Sequence, residues 1–177
     1  LAAYRTALAG REALVARDRD QANWQRDLVI GRTKLGAALL AGGDAAGAQD
    51  TLGAALAAAE ALAARDADTL SWQRDLAVCH ERLAEARLAL GDRAGARAAL
   101  RTSLAIRERL AARDRADIEW QRDLAGTVTW QGEAHRAARE RREATAAYQR
   151  AIGIYRAVIG RTGDPESRVG SVLPLRR

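Results

Sequence analysis

The sequence Trp-Gln-Arg-Asp-Leu stands at residues 24–28 and returns unchanged at residues 72–76 and 120–124. Both intervals are 48 residues. A fixed period of this size is typical of proteins in which one supersecondary unit is stacked on the next. Because stacked units create extended surfaces, the period favours a binding function over catalysis.

The pentapeptides divide the chain into three repeat units, which we place at residues 24–71, 72–119 and 120–163. Residues 1–23 precede the first unit. Residues 164–177 follow the third, and their glycines and prolines predict a flexible C-terminal tail.

Each unit is predicted to be a pair of helices joined by a short turn, because its apolar residues recur at helical spacing. Gly43-Asp44 and Gly91-Asp92 predict the turn within a unit, since glycine can end one helix and aspartate can cap the next. Asp20, Asp68 and Asp117 predict the N-caps of the helices that carry the tryptophans.

Residues 1–23 are predicted to hold the second helix of a unit without its first, followed by a linker. Tyr4 and Leu8 fall in register with Leu52 and Leu56 of the first complete unit. The sequence therefore predicts an all-α array of about seven helices, consisting of one single helix and three antiparallel helical hairpins.

The pattern of small and large residues around the turn resembles the tetratricopeptide repeat (TPR). In the first unit this pattern comprises Leu35, Gly36, Leu39, Gly43-Asp44, Ala48, Leu52, Ala55 and Leu56. The period of 48 exceeds the family's usual 34, so each helix should be about two turns longer. Arg139-Glu140 also replaces the Gly-Asp pair in the third unit. The resemblance implies a right-handed α-solenoid whose first helices line a concave groove for a peptide or a partner helix.

By position, the resemblance places eleven residues in this groove. They are Ile30, Thr33, Ala37 and Leu40 in the first unit, Val78, Glu81, Glu85 and Leu88 in the second, and Thr129, Glu133 and Arg136 in the third. The groove would be apolar at one end and acidic in the middle, which favours an apolar or basic ligand segment.

Trp24, Trp72 and Trp120 are expected to build the repeat rather than to bind a ligand. A residue that recurs at one position of every unit usually serves the structure of that unit. We expect each tryptophan to pack at the junction between hairpins, and the neighbouring arginine and aspartate to form ion pairs at the surface or between repeats.

Side chains capable of catalysis or metal binding are sparse. Cys79 and His80 are adjacent, so on a helix they point about 100° apart, and no second cysteine completes a metal site. Glu81 and Glu85 share a helix face with arginines, which indicates a hydrated surface. We therefore expect no enzymatic activity, no cofactor and no bound metal.

The net charge of +6 is unevenly spread, with −1 over residues 1–71 and +7 over residues 72–177. A basic half leaves nucleic-acid binding open as an alternative function. The uncovered end of the array at residues 1–18 leaves end-to-end self-assembly as another.

The principal prediction is a scaffold or adaptor module for protein–protein interaction. By analogy with the use of such arrays, we expect it to be part of a larger bacterial protein. The sequence has no stretch typical of a membrane span or a signal peptide, so a cytoplasmic location is expected.

Overall fold

The computed structural model describes residues 1–162, and all regular secondary structure in that range is helical. The seven α-helices are α1 (Ala2–Arg17), α2 (Ala22–Ala41), α3 (Ala45–Arg65), α4 (Leu70–Ala89), α5 (Arg93–Arg113), α6 (Ile118–Ala137) and α7 (Arg141–Thr162). The predicted all-α class and the number of helices are confirmed. The predicted flexible tail at residues 164–177 lies outside the described residues.

The turn inside each hairpin has the geometry that its Gly-Asp pair predicts. Gly43 and Gly91 adopt φ angles of 86° and 83°, in the left-handed region that glycine enters at little cost. The side chains of Asp44 and Asp92 each accept a 2.8 Å hydrogen bond from the amide three residues later, which caps α3 and α5. Arg139 holds the corresponding position of the third turn at φ 62°. This turn keeps the same backbone shape without glycine.

The loops between hairpins differ in detail from the prediction. Asp117 caps α6 as predicted, accepting a 3.0 Å hydrogen bond from the backbone amide of Trp120. The predicted caps Asp20 and Asp68 are wrong, because α2 and α4 begin one residue further on and have no side-chain cap. In each of these loops the aspartate two residues earlier, Asp18 or Asp66, accepts a hydrogen bond from the backbone amide of the predicted cap. Asp66, for example, accepts hydrogen bonds from the amide of Asp68 and from the hydroxyl of Thr69.

The helices pack in chain order, and the first helices of neighbouring hairpins also contact one another. Each helix touches the next one along the chain. Among the first helices of the hairpins, α2 also contacts α4, and α4 contacts α6. The second helices α3, α5 and α7 do not contact one another within the described part of the chain. The first helices therefore form one closely spaced layer, which we call the inner face.

Inside each hairpin, a large side chain of the second helix packs against a small residue of the first. Fully buried Leu52 faces Gly36 so closely that a Cβ on the glycine would lie 2.5 Å from the leucine Cγ. Tyr148 faces Gly132 at the same position of the third hairpin, and Leu100 packs in one cluster with Ala84 in the second. This large-to-small packing lets helices 20–22 residues long lie side by side along the hairpin.

Candidate partner-binding groove

Ten of the eleven residues predicted to line the groove are partly buried, and Arg136 is exposed. All eleven lie on α2, α4 and α6, the helices of the inner face. The structure divides ten of them into residues that line an open pocket, residues that pack against the core, and charged residues that bind other side chains of the protein. The eleventh, Thr129, bonds to a backbone carbonyl of its own helix.

A pocket with a volume of about 370 Å³ lies on the inner face between α2 and α4. Four predicted residues line it, namely Ile30, Thr33, Ala37 and Val78, and the rest of its wall is Val29, Lys34, Asp75 and Arg82. Its floor is thus mainly aliphatic. Leu40 and Leu88 belong to the second group, since both pack against hydrophobic core clusters.

Two of the three charged residues at the rim of this pocket, Asp75 and Arg82, form ion pairs with other side chains. The carboxylate of Asp75 accepts a 2.6 Å hydrogen bond from the Arg26 guanidinium. Arg82 donates to Glu85 at 2.7 Å along the same helix. Lys34 stands exposed at the rim. Because Asp75 and Arg82 each pair with a side chain of opposite charge, Lys34 leaves the pocket with a positive edge.

Glu81 lies at the centre of a buried polar network rather than facing an open groove. Its Oε1 accepts hydrogen bonds from Ser103 at 2.8 Å, Thr127 at 2.5 Å and the Nε of Arg107 at 3.2 Å. The Arg107 side chain is only 3% exposed and also donates to Asp123 at 2.5 Å. The network joins α4, α5 and α6, so Glu81 holds the second hairpin against the third.

The equivalent positions between the first and second hairpins, 48 residues earlier, form a nearly apolar junction. They are Thr33, Ala55, Ala59 and Cys79. The Thr33 hydroxyl lies 3.6 Å from Cys79 Sγ and donates a 2.8 Å hydrogen bond to the carbonyl of Val29 in its own helix. Burial raises the pKa of the Cys79 thiol to about 11, so the thiol stays protonated at neutral pH. A comparison of the two units column by column could have revealed this network, because Glu81 and Arg107 introduce opposite charges at positions that are uncharged one repeat earlier.

In the third hairpin, the predicted residues Glu133 and Arg136 bind each other and Tyr148. Arg136 donates two hydrogen bonds to one carboxylate oxygen of Glu133, and Tyr148 donates a 2.7 Å hydrogen bond to the other. Burial and this carboxylate raise the pKa of the Tyr148 phenol to about 12, so the phenol remains a donor. The Thr129 hydroxyl donates to the carbonyl of Ala125 within its own helix.

Trp72 and Trp120, with their pentapeptides, lie at the junctions between hairpins. For partly buried Trp24 this position stays a prediction. Trp72 packs on the core cluster of the first hairpin, and Trp120 packs on a cluster of α4 and α5 residues. Arg26 binds Asp75 and Arg74 binds Asp123, each at 2.6 Å, so the arginine of one pentapeptide reaches the aspartate of the next. These contacts form an ion-pair ladder along the array.

Within residues 1–162, no group of three or more histidine, cysteine, aspartate or glutamate side chains is arranged to hold a metal ion. Over the same residues, no helix combines the length and the apolar character needed to cross a membrane.

Comparison with known proteins adds little to the geometry. No known family model and no curated protein sequence matches the chain. Among solved structures, the crystal structure of BtubC (BKLC) from P. vanneervenii is similar at 14% sequence identity and a TM-score of 0.35, over 99% of this chain and 96% of that chain. A similarity at that TM-score carries no argument about fold or function.

Proposed function

We propose that this chain is a TPR-like, right-handed helical array that binds a peptide or a partner helix on its inner face. The observation that carries the proposal is the aliphatic pocket between α2 and α4, open on the face where first helices adjoin. A cavity of this size accepts one large aliphatic or aromatic side chain, and such anchors supply most of the affinity of small interfaces.

The charge at the pocket favours an acidic residue next to that anchor. The sequence favoured an apolar or basic ligand because Glu81 and Glu85 were expected to stay available in the middle of the groove. In the structure the Glu81 carboxylate accepts hydrogen bonds from Ser103, Arg107 and Thr127, and the Glu85 carboxylate accepts one from Arg82. Exposed Lys34 is then the charge that a ligand meets first.

The test is selection of a random peptide library, displayed on phage, against the immobilised protein. We expect enrichment of peptides in which an aliphatic or aromatic residue adjoins Asp or Glu, with Kd on the order of micromolar. Ala37→Arg should abolish the enrichment by filling the pocket, whereas Ala54→Arg, on the exposed outer side of α3, should leave it unchanged. Lys34→Glu should shift the selected peptides from acidic to basic. The proposal would be refuted if the wild-type protein enriched no peptides, or if the Ala37→Arg variant enriched the same peptides as the wild type.

Nucleic-acid binding remains a second candidate because of a basic cleft at the turn between α6 and α7. Arg136, Arg139 and Arg141 line this cleft, which has a volume of about 620 Å³, although Arg136 already binds Glu133. Phosphate binding there would weaken steeply with salt. A gel shift at 50 mM salt that disappears in an Arg139→Glu, Arg141→Glu variant would support this candidate, and no shift at that salt concentration would remove it.

A further inference from the structure

Another pocket, which we call the α5–α6 pocket, lies where the second hairpin adjoins the third. Both of its helices lie inside the array, since α5 also packs against α4 and α6 also packs against α7. Its volume is about 400 Å³, within the range typical of small-molecule sites. Most of the side chains around it are polar or basic. The lining residues are Arg97, Leu100, Arg101, Gln131, Ala134 and His135.

One repeat earlier, between α3 and α4, the equivalent positions carry no such set of polar groups. Leu83 stands in the place of Gln131 and is buried in a hydrophobic cluster. Gln49 and Gly53 stand in the places of the two arginines. Because two hairpins adjoin there without these charges, the arginines and the amide of the α5–α6 pocket are not needed to join one hairpin to the next.

The two arginines of the pocket are one helical turn apart, and only one of them is neutralised. Arg97 Nη1 donates to both carboxylate oxygens of Glu140, at 2.5 and 2.7 Å. His135 Nδ1 lies 2.6 Å from the same carboxylate. Arg101 is exposed and forms no hydrogen bond or ion pair with another residue in the range 1–162. Since like charges at this spacing repel each other, an anion bound beside Arg101 would relieve the repulsion.

The rest of the pocket offers one more hydrogen-bond donor and an aliphatic floor. The Gln131 side chain is half-buried, and its amide has no hydrogen-bond partner in the described part of the chain. Leu100 and Ala134 are both buried and belong to one hydrophobic cluster. A ligand that uses all of these groups therefore carries an anionic end and an apolar body.

We propose that the α5–α6 pocket binds a small organic anion, in which one carboxylate or phosphate group is joined to a compact apolar body. Arg101 and the remaining N–H groups of Arg97 donate to the anionic oxygens, and the Gln131 amide donates a further hydrogen bond. The apolar body lies against Leu100 and Ala134. A guanidinium suits either anion, because its planar fork of N–H groups matches two oxygens of a carboxylate or a phosphate.

The test is a titration of the isotope-labelled whole protein with benzoate and with phenyl phosphate, followed by NMR. We expect saturable shifts of the backbone amides around Ala134, with Kd on the order of 1 mM or below. The tighter of the two ligands identifies the preferred anionic group. Benzamide has the ring without the charge, whereas acetate and inorganic phosphate have the charge without the ring. Each of these three should bind about tenfold or more weakly.

Variants of the pocket separate a specific site from general attraction to a basic surface. Arg101→Gln should weaken the binding of both anions about tenfold or more, because it removes a charge-assisted donor. Arg109→Gln is the matched control, since it removes the same charge from another exposed arginine of α5 that does not line the pocket. It should leave Kd unchanged. Gln131→Leu introduces the residue found at the equivalent position of α4, so it should keep the fold and weaken binding about threefold.

Three results would overturn the proposal, provided that circular dichroism reports an unchanged fold in the variants. The first is an absence of saturable shifts with both anions up to about 10 mM. The second is an equal loss of binding in Arg101→Gln and Arg109→Gln, which would indicate diffuse attraction alone. The third is a set of shifts centred on Arg139 and Arg141, which would assign the anion to the cleft between α6 and α7.

Discussion

At the scale of single residues, glycine positions decide how closely the helices of a hairpin approach. Gly36 and Leu52 leave no room for a methyl group, and Leu52 is fully buried and cannot move aside. We expect Gly36→Ala to destabilise the protein by about 1–3 kcal/mol through overpacking. Gly53→Ala, in the same hairpin with nothing within 4 Å of the new Cβ, should instead stabilise by about 0.5–1 kcal/mol through helix propensity. Urea unfolding of the two variants measures both signs, and a neutral Gly36→Ala would contradict the packing described.

Glu140, at the turn that lacks glycine, carries a pH dependence of its own. Hydrogen bonds from His135 and from Arg97 lower the pKa of its carboxyl below the ordinary value of 4.5. A carboxyl with a lowered pKa in the folded state stabilises the protein above its unfolded pKa, and that contribution is lost as pH falls through the folded pKa.

We therefore expect Glu140→Gln to lower Tm at pH 7 and to approach the wild-type Tm as pH falls below 4.5. Thermal melts of both proteins between pH 3 and 7 measure the difference. Glu60→Gln, an exposed position on α3, is the control and should show little change across the range. A Glu140→Gln deficit that persists unchanged at pH 3 would show that the carboxylate charge is not its cause.

At the scale of helices, two junctions with the same backbone plan are stabilised by different chemistry. The first uses Thr33, Ala55, Ala59 and Cys79, and the second uses Glu81, Ser103, Arg107 and Thr127. Removing one partner from a buried ion pair leaves the other charge without compensation, whereas replacing the whole set with apolar residues is often nearly neutral.

In this network Arg107 keeps its ion pair with Asp123, so Glu81→Ala should cost about 1–3 kcal/mol, because it takes one acceptor from buried Arg107 and one from each of two hydroxyls. The quadruple variant Glu81→Thr, Ser103→Ala, Arg107→Ala, Thr127→Cys transfers the first junction to the second and should recover most of that loss. Denaturant unfolding compares the two variants with the wild type. A quadruple variant as unstable as Glu81→Ala would mean that the ionic network stabilises the second junction more than apolar packing can.

The same comparison shows what the sequence could and could not predict. The 48-residue period and the Gly-Asp turns were enough to place the helices, because both are local or periodic signals. That the first helices share one face was implied only by the TPR resemblance. The period alone could not reveal that Glu81 would be engaged, since its partners lie 22 to 46 residues away on two other helices. The caps Asp20 and Asp68 were mispredicted for a related reason. Each of these loops contains two aspartates, and sequence spacing does not decide which one binds which amide.

At the scale of the whole molecule, an array in which helices touch mainly their chain neighbours need not unfold as a single unit. Within residues 1–162, helix α4 contacts α2, α3, α5 and α6, whereas α1 contacts α2 alone and buries no residue. Local stability should therefore rise from α1 towards α4, since the free energy of local opening follows the number of packed neighbours and the burial they provide.

Hydrogen exchange under native conditions should then show α1 amides opening at the low end of the free-energy range, and α4 amides near the global free energy of unfolding. Leu8→Ala should speed exchange in α1 and leave α4 nearly unchanged, because Leu8 is the α1 residue that packs on the core beside α2. Equal opening free energies in α1 and α4 would instead mean that the array unfolds as one cooperative unit. The contact with α2 would then be enough to hold α1 in that unit.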